Sequence, residues 1–223
     1  MTRLSLIAAL IASPTLAEAP NLSANPHGAP GPATTLAMAY KLYATALRDS
    51  DTTTLLTAIR LARSVTERPA AGWKKETTGT AIPDQPTGAS AAANPAGDQA
   101  IVLARALAGE DPALQDLVYD LDAQLPRGRI EAAAAATSDL SAGQTDVWQI
   151  AFFGESYAEI ALLGDGDSNL DLVVTDAEGK LICADLSASD QVFCDFVPAR
   201  NGFFTISVAN TGTAVNSYKL LTN

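Results

Sequence analysis

Four oxygen-bearing side chains alternate along one short, glycine-containing stretch of the chain. They are Asp165, Asp167, Asn169 and Asp171. Calcium takes about six to eight oxygen ligands, and side chains at alternate positions of a tight loop can supply several of them. The stretch is not an EF-hand, because Leu170 occupies the position of the turn glycine and Asp176 replaces the terminal glutamate. It is a candidate calcium site of another kind, unless these side chains instead cap their own backbone, as Asp and Asn commonly do in turns.

Arrangements that would support catalysis are mostly missing from the sequence. The single histidine, His27, lies in a Pro- and Gly-rich stretch outside any predicted core, so no Ser-His-Asp or Cys-His triad can be assembled. The run 154–158 only half resembles a nucleophile elbow, because no helix is predicted after it. Paired carboxylates can serve a glycosidase, and the candidates are Asp165, Asp167, Asp185 and Asp190. We therefore predict no catalytic residue, with a carboxylate-dependent hydrolase of envelope polysaccharide as the enzymatic alternative.

The chain has two cysteines, Cys183 and Cys194. Both lie in strand-like runs separated by a polar turn, which predicts a hairpin with the two sulfurs on facing arms. In an oxidising compartment they should form a disulfide. Closing so short a loop would stabilise the fold by about 2 to 3 kcal/mol. A metal site or a catalytic thiol is disfavoured because histidine partners are lacking.

The first 17 residues have the pattern of a secretory signal peptide, and cleavage is predicted after Ala17. Arg3 supplies the positive charge, an apolar run follows over 4–12, and Pro14 ends it. No later stretch approaches the roughly 20 apolar residues of a membrane-spanning helix. A net charge of −11 disfavours nucleic acid and anionic lipid as partners. We expect a periplasmic or secreted protein without membrane insertion after cleavage, whose partner is an envelope or extracellular protein or polysaccharide.

Helical periodicity marks the first half of the mature chain. After a flexible lead over 18–32, a helical region over 33–125 is predicted to form two helical hairpins, with Asp51 and Asp111 as helix caps. A Pro-, Gly- and Ala-rich linker is predicted at 68–97. Within it, Trp73 is expected to pack back on the helices. This helical half could itself dock another exported protein, which is a second functional alternative.

Strand-like runs replace the helical pattern near Gly143. Short apolar and β-branched segments recur about every ten residues between Gly, Asn and Asp, as in β-sandwiches. The predicted strands are 146–153, 157–163, 169–176, 180–184, 191–197, 202–209 and 216–221. The fold class is therefore α+β with segregated parts: a small helical N-terminal region followed by an all-β, jelly-roll-like sandwich over 143–223.

Several separated motifs follow one another in this β region: Gly164-Asp165-Gly166-Asp167-Ser168-Asn169-Leu170-Asp171-Leu172-Val173-Val174, Asp176-x-x-Gly179, Pro198-x-x-x-Gly202-Phe203, Val208-x-Asn210-x-Gly212 and Asn216-x-Tyr218. Together they resemble the bacterial pre-peptidase C-terminal domain. The resemblance covers about residues 143 to 223 and implies a non-catalytic jelly-roll-like sandwich that, in some members, binds calcium or insoluble substrate. The upstream half is too short and too poor in catalytic residues for a peptidase. We expect an exported, non-catalytic binding or stabilising protein.

Overall fold

The computed structural model describes residues 19–26, 28–88, 94–123 and 132–223. The predicted signal peptide and His27 lie outside the described residues. Within these ranges the chain forms four helices and ten strands. The helices are α1 (Pro32–Asp49), α2 (Thr52–Arg63), α3 (Asp98–Ala108) and α4 (Pro112–Ala123). The strands are β1 (Thr66–Pro69), β2 (Lys74–Gly79), β3 (Ala132–Leu140), β4 (Gln144–Phe152), β5 (Ala158–Leu163), β6 (Leu170–Thr175), β7 (Leu181–Asp185), β8 (Gln191–Phe196), β9 (Gly202–Asn210) and β10 (Asn216–Thr222).

The helices start where the sequence predicts caps. Asp51 accepts hydrogen bonds from the main-chain nitrogens of Thr53 at 2.9 Å and Thr54 at 3.2 Å, which satisfies two free donors at the start of α2. Asp111 does the same for the first turn of α4. Apolar side chains of all four helices meet in one buried cluster that includes Leu55, Ile59 and Val118. The predicted pair of helical hairpins is therefore present.

The β-sandwich consists of two five-stranded sheets. Sheet A has the order β1-β3-β10-β5-β8, and sheet B has the order β2-β4-β9-β6-β7. On β6, alternate side chains point into the core, namely Leu170, Leu172 and Val174. Each of the seven strands predicted between 146 and 221 has its counterpart, and the predicted α+β class with a β-sandwich is confirmed.

Three strands lie where the sequence predicted none. β1 and β2 occupy part of the predicted linker at 68–97; β1 pairs in parallel with β3, and β2 pairs antiparallel with β4. Trp73 does not pack on the helices but contacts Trp148 of the sandwich core edge to face, with ring centroids 6.0 Å apart. β3 is rich in alanine, which has a weak strand propensity. Its small side chains suit the place, because Ala133 and Ala135 lie in the interface between sheet A and helix α1.

The N-terminal segment predicted as a flexible lead is held on the sandwich. Asn21 is buried, and its main-chain nitrogen donates to Asp176 Oδ2 at 2.9 Å. Its side-chain amide exchanges two hydrogen bonds with the main chain of Arg200, each 3.0 Å long. Helix α1 then starts at Pro32 rather than at a threonine cap, because Glu159 of β5 accepts its first main-chain donors. The side chains of Asn21 and Glu159 thus hold the N-terminal segment on the sandwich, and the composition of the segment gave no indication of these contacts.

Cys183 and Cys194 form a disulfide, with their Cα atoms 6.3 Å apart. They do not face each other across a hairpin. Cys183 lies on β7 at the edge of sheet B, whereas Cys194 lies on β8 at the edge of sheet A. Each strand pairs with an earlier neighbour instead, β7 with β6 and β8 with β5. The bond therefore joins the two sheets across one side of the sandwich.

Candidate functional site

The loop between β5 and β6 carries the acidic run of the sequence analysis. Asp165 fixes this loop, because its Oδ1 accepts a hydrogen bond from the nitrogen of Asp167 at 3.0 Å and its Oδ2 accepts one from the nitrogen of Ser217 at 2.8 Å. The first bond is a local turn cap, and the second ties the loop to β10. Backbone capping therefore accounts for part of the role of Asp165.

Three buried side-chain oxygens around this loop accept no hydrogen bond from any described residue. They are Asp167 Oδ2, Asn169 Oδ1 and Asn216 Oδ1. The two amides are oriented by their nitrogens: Asn216 Nδ2 donates to the carbonyl oxygen of Ser168 at 2.7 Å, and Asn169 Nδ2 donates to Thr211 Oγ1 at 2.7 Å. A buried acceptor without a donor costs about 1 to 3 kcal/mol. Such oxygens call for a donor or a cation.

Negative charge accumulates at the same place. Asp190, from the turn before β8, accepts a hydrogen bond from the nitrogen of Gly166 at 2.5 Å and lies 3.4 Å from Asn216 Nδ2. Burial raises the pKa of Asp165 above its ordinary value, and the charges of Asp167 and Asp190 add to the increase. A bound cation would relieve both the desolvation and the repulsion.

The structure brings some of the four predicted residues together more closely than others. Asp165, Asp167 and Asn169 all lie in the loop itself. Asp171 is instead a residue of β6, and its Oδ1 accepts a hydrogen bond from Asn169 Nδ2 at 3.1 Å. Asn216 joins the cluster from β10, and the sequence offered no signal for its role beyond its place in the resemblance. Asp190 also belongs to it, although the sequence singled it out only as a hydrolase carboxylate.

The side chains at this loop offer only oxygen atoms as metal ligands. Among the residues that the structure describes, no three His, Cys, Asp or Glu side chains cluster closely enough to hold a metal by themselves. A cation at this loop would therefore need amide and main-chain oxygens in addition to the carboxylates. Calcium accepts such mixed oxygen sets, whereas zinc and copper favour nitrogen and sulfur.

A second polar cluster lies between the sheets around Asp146, which is fully buried. Its carboxylate accepts hydrogen bonds from the hydroxyls of Thr77, Ser138 and Tyr218 and from Lys75 Nζ at 3.2 Å. Burial acts to raise the pKa of Asp146, but these donors outweigh it and hold the pKa below its ordinary value.

This second cluster resembles a serine–lysine pair, because Lys75 Nζ lies 2.6 Å from Ser138 Oγ. A serine nucleophile activated by lysine needs a neutral amine as base. Here the lysine donates to Ser138 and also pairs with the ionised Asp146, so it acts as an ammonium donor. The network therefore serves to join β2 and β4 of sheet B to β3 and β10 of sheet A. No sequence pattern indicated this network, because its members are far apart in the chain.

The remaining hydrolase candidate, Asp185, is used in a turn. Its carboxylate accepts from the nitrogen of Ser187 at 3.1 Å, from the hydroxyl of Ser187 at 2.7 Å and from the nitrogen of Phe193 at 3.3 Å. Burial opposes ionisation, yet these bonds keep the pKa of Asp185 below its ordinary value. Asp185 thus behaves as an ionised cap for the connection between β7 and β8.

Within the described ranges, no helix is long and apolar enough to cross a membrane.

Comparison with known proteins gives limited further information. No family model matches this chain, and no curated protein sequence matches it. Among solved structures, the chain is similar to the pre-peptidase C-terminal domain of a collagenase from Bacillus anthracis, with 15% sequence identity and a TM-score of 0.36. The match covers 40% of this chain and 88% of that one.

Proposed function

We propose that this chain is an exported, non-catalytic binding or stabilising protein whose β-sandwich holds a calcium ion at the β5–β6 loop. The observation that supports the ion is the set of three buried, undonated oxygens on Asp167, Asn169 and Asn216. The carboxylates of Asp165 and Asp190 add negative charge beside them. Asp171, which the sequence suggested as a ligand, acts on Asn169 by accepting from its amide nitrogen.

Calcium fits this set better than a transition metal does. The oxygens come from carboxylates and amides, and the aspartates that share the loop would repel one another without a counter-ion. When bound, the ion would neutralise that charge and satisfy the buried acceptors, so its main effect would be on the stability of this end of the sandwich.

The rest of the proposal concerns location and partners. The signal-like first 17 residues and the disulfide support export to an oxidising compartment. Lys75 and Ser138 are committed to a structural network around the buried Asp146, so binding is a better hypothesis than hydrolysis. We propose an envelope or extracellular protein or polysaccharide as the partner, and the polar loops of the sandwich as the region that contacts it.

Thermal unfolding of the chain without residues 1–17 tests the calcium proposal. Excess calcium should raise the melting temperature relative to chelator, because saturation at 100 times Kd adds about 2.7 kcal/mol to stability. Asp167→Ala and Asn169→Ala should each abolish most of the shift. Asp120→Ala, an exposed aspartate on α4, is the control and should keep it. Equal melting temperatures in calcium and chelator, or a full shift in Asp167→Ala, would contradict the proposal.

Export has its own test. Expressed from Met1 in a bacterial host, the protein should be recovered from the periplasm or medium with Glu18 as its first residue. A cytoplasmic product with an intact N-terminus would refute the export part and leave the calcium part standing.

A further inference from the structure

The segment 82–88, which follows β2, crosses the end of the sandwich where the acidic loop lies. Three hydrogen bonds attach it. The nitrogen of Ile82 donates to the carbonyl oxygen of Ala142 at 2.9 Å, and the nitrogen of Ala142 donates to Gln85 Oε1 at 2.7 Å. The nitrogen of Val215 donates to the carbonyl oxygen of Pro86 at 3.2 Å. The segment is therefore held by the connection between β3 and β4 and by the residue before β10.

At its end, Gly88 comes directly against the proposed calcium site. A Cβ atom on Gly88 would lie 2.7 Å from Asp167 Oδ2, 3.4 Å from Asp165 Oδ2 and 2.5 Å from the carbonyl oxygen of Val215. Real Cβ atoms essentially never come closer than 3.0 Å to such atoms. Any side chain at position 88 would therefore clash, and only glycine fits without a shift of its neighbours. Two carboxylate oxygens of the β5–β6 loop and one carbonyl oxygen from the residue before β10 therefore lie next to Gly88.

This placement has an electrostatic consequence. Segment 82–88 helps to bury Asp167 Oδ2, which receives no hydrogen bond from the described residues. Closing the segment over two neighbouring carboxylates removes water from them, and that is unfavourable unless a positive charge replaces the water. A cation bound to Asp165 and Asp167 would provide this charge, so closure of the segment and cation binding should favour each other.

We propose that calcium at the β5–β6 loop fastens the 82–88 segment to the sandwich, so that calcium binding controls the attachment of this segment. This inference rests on the calcium site of the proposed function and adds a regulatory role to it. Because linkage is reciprocal, the factor by which calcium favours attachment equals the factor by which attachment favours calcium binding, so a variant in which the segment is detached should bind calcium more weakly. Gly88 supplies no side-chain ligand, and yet its substitution should lower calcium affinity.

The test combines calorimetric titration with calcium and hydrogen exchange, on the chain without residues 1–17. In the wild type, calcium should slow exchange of the amides in 82–88 by at least about tenfold. Gly88→Ala should weaken calcium binding by about tenfold or more, and Gln85→Ala, which removes a hydrogen-bond acceptor without a clash, should weaken it less. Gln115→Ala, which removes a similar side-chain bond on α4, is the matched control and should bind calcium normally. Far-ultraviolet circular dichroism confirms that each variant is folded.

The possible failures can be told apart. If the wild type binds calcium but exchange in 82–88 is unchanged, and Gly88→Ala and Gln85→Ala bind with wild-type affinity, the fastening inference is wrong and the calcium site stands. If Asp167→Ala loses calcium binding while 82–88 stays protected, the inference is also overturned. If the wild type binds no calcium, the proposed site itself fails.

Discussion

Glu159 caps helix α1 from a neighbouring strand, and this contact attaches the helix to sheet A. The side chain is fully buried, and its two oxygens accept hydrogen bonds from the nitrogens of Gly31 at 2.6 Å, Ala33 at 3.1 Å and Thr34 at 3.2 Å. The residue at the cap position of α1 is Gly31, which has no side chain to do this. One carboxylate therefore satisfies most of the free donors at the start of the helix.

Glu159→Gln should destabilise the protein by about 2 to 5 kcal/mol. Loss of a helix cap costs about 1 kcal/mol, and the new amide nitrogen leaves at least one enclosed N–H donor unsatisfied, at about 1 to 3 kcal/mol. Loss of the charge near the positive end of the helix adds a few tenths to about 1 kcal/mol. For a chain of this size the melting temperature should fall by roughly 5 to 20 °C.

Urea unfolding followed by circular dichroism measures this change directly. Glu76→Gln, at an exposed glutamate on β2, is the control and should alter stability by less than about 0.5 kcal/mol. Hydrogen exchange adds a local readout, because the amides of Ala33 and Thr34 should lose protection in Glu159→Gln. If that variant were within about 0.5 kcal/mol of wild type, the carboxylate would not be the anchor of α1.

Three further perturbations test other contacts. Replacing Cys183 and Cys194 by serine should cost about 3 kcal/mol, from the length of the loop that the bond closes, and a reductant should destabilise the wild type in urea but leave this variant unchanged. Without calcium, the raised pKa of Asp165 means that folding takes up a proton, so this residue adds stability as the pH falls through that pKa. Asp165→Asn should therefore reduce the gain in stability that the wild type shows on mild acidification. If stability depended on pH in the same way in the variant and the wild type, the raised pKa of Asp165 would be contradicted. Asn21→Ala should cost about 1 to 3 kcal/mol, because both hydrogen bonds between the Asn21 amide and the main chain of Arg200 are lost, and should speed proteolysis of the N-terminal segment.

The sequence was most informative where side-chain alternation is strong. On β6 and β9 the inward positions are large and apolar, including Leu172, Val174, Phe204 and Ile206, so strands and core followed from period alone. β3 escaped prediction because its alanines face a helix, and a small side chain is what that contact needs. β2 escaped because its residues are exposed and polar at the edge of sheet B.

The cysteines show how local patterns can mislead about topology. Proximity in the chain and strand-like flanks correctly predicted that Cys183 and Cys194 pair. The same cues suggested one hairpin, whereas the chain crosses from sheet B to sheet A between them. Which strands pair depends on contacts between residues that are far apart in the sequence, and a local pattern does not contain that information.

The candidate calcium site was only partly accessible to sequence reasoning. The alternating oxygens of Asp165, Asp167 and Asn169 are visible in a single run. Asn216 and Gly88 reach the same loop from far along the chain, so their roles depend on the folded arrangement. Calcium binding itself stays a prediction.

The placement of β1 and β2 affects when the molecule can complete its fold. Both strands follow the first helical hairpin, but Thr66 pairs with Ala132 and Lys74 pairs with Gln149, on strands synthesised much later. A chain that is synthesised from its N-terminus therefore has these two strands unpaired until its second half is made. A fragment starting at Gly143 would meet the opposite problem, since β4 and β10 would each present a bare edge to other copies. The helical and β parts differ in composition, yet α1 shares a buried cluster with sheet A.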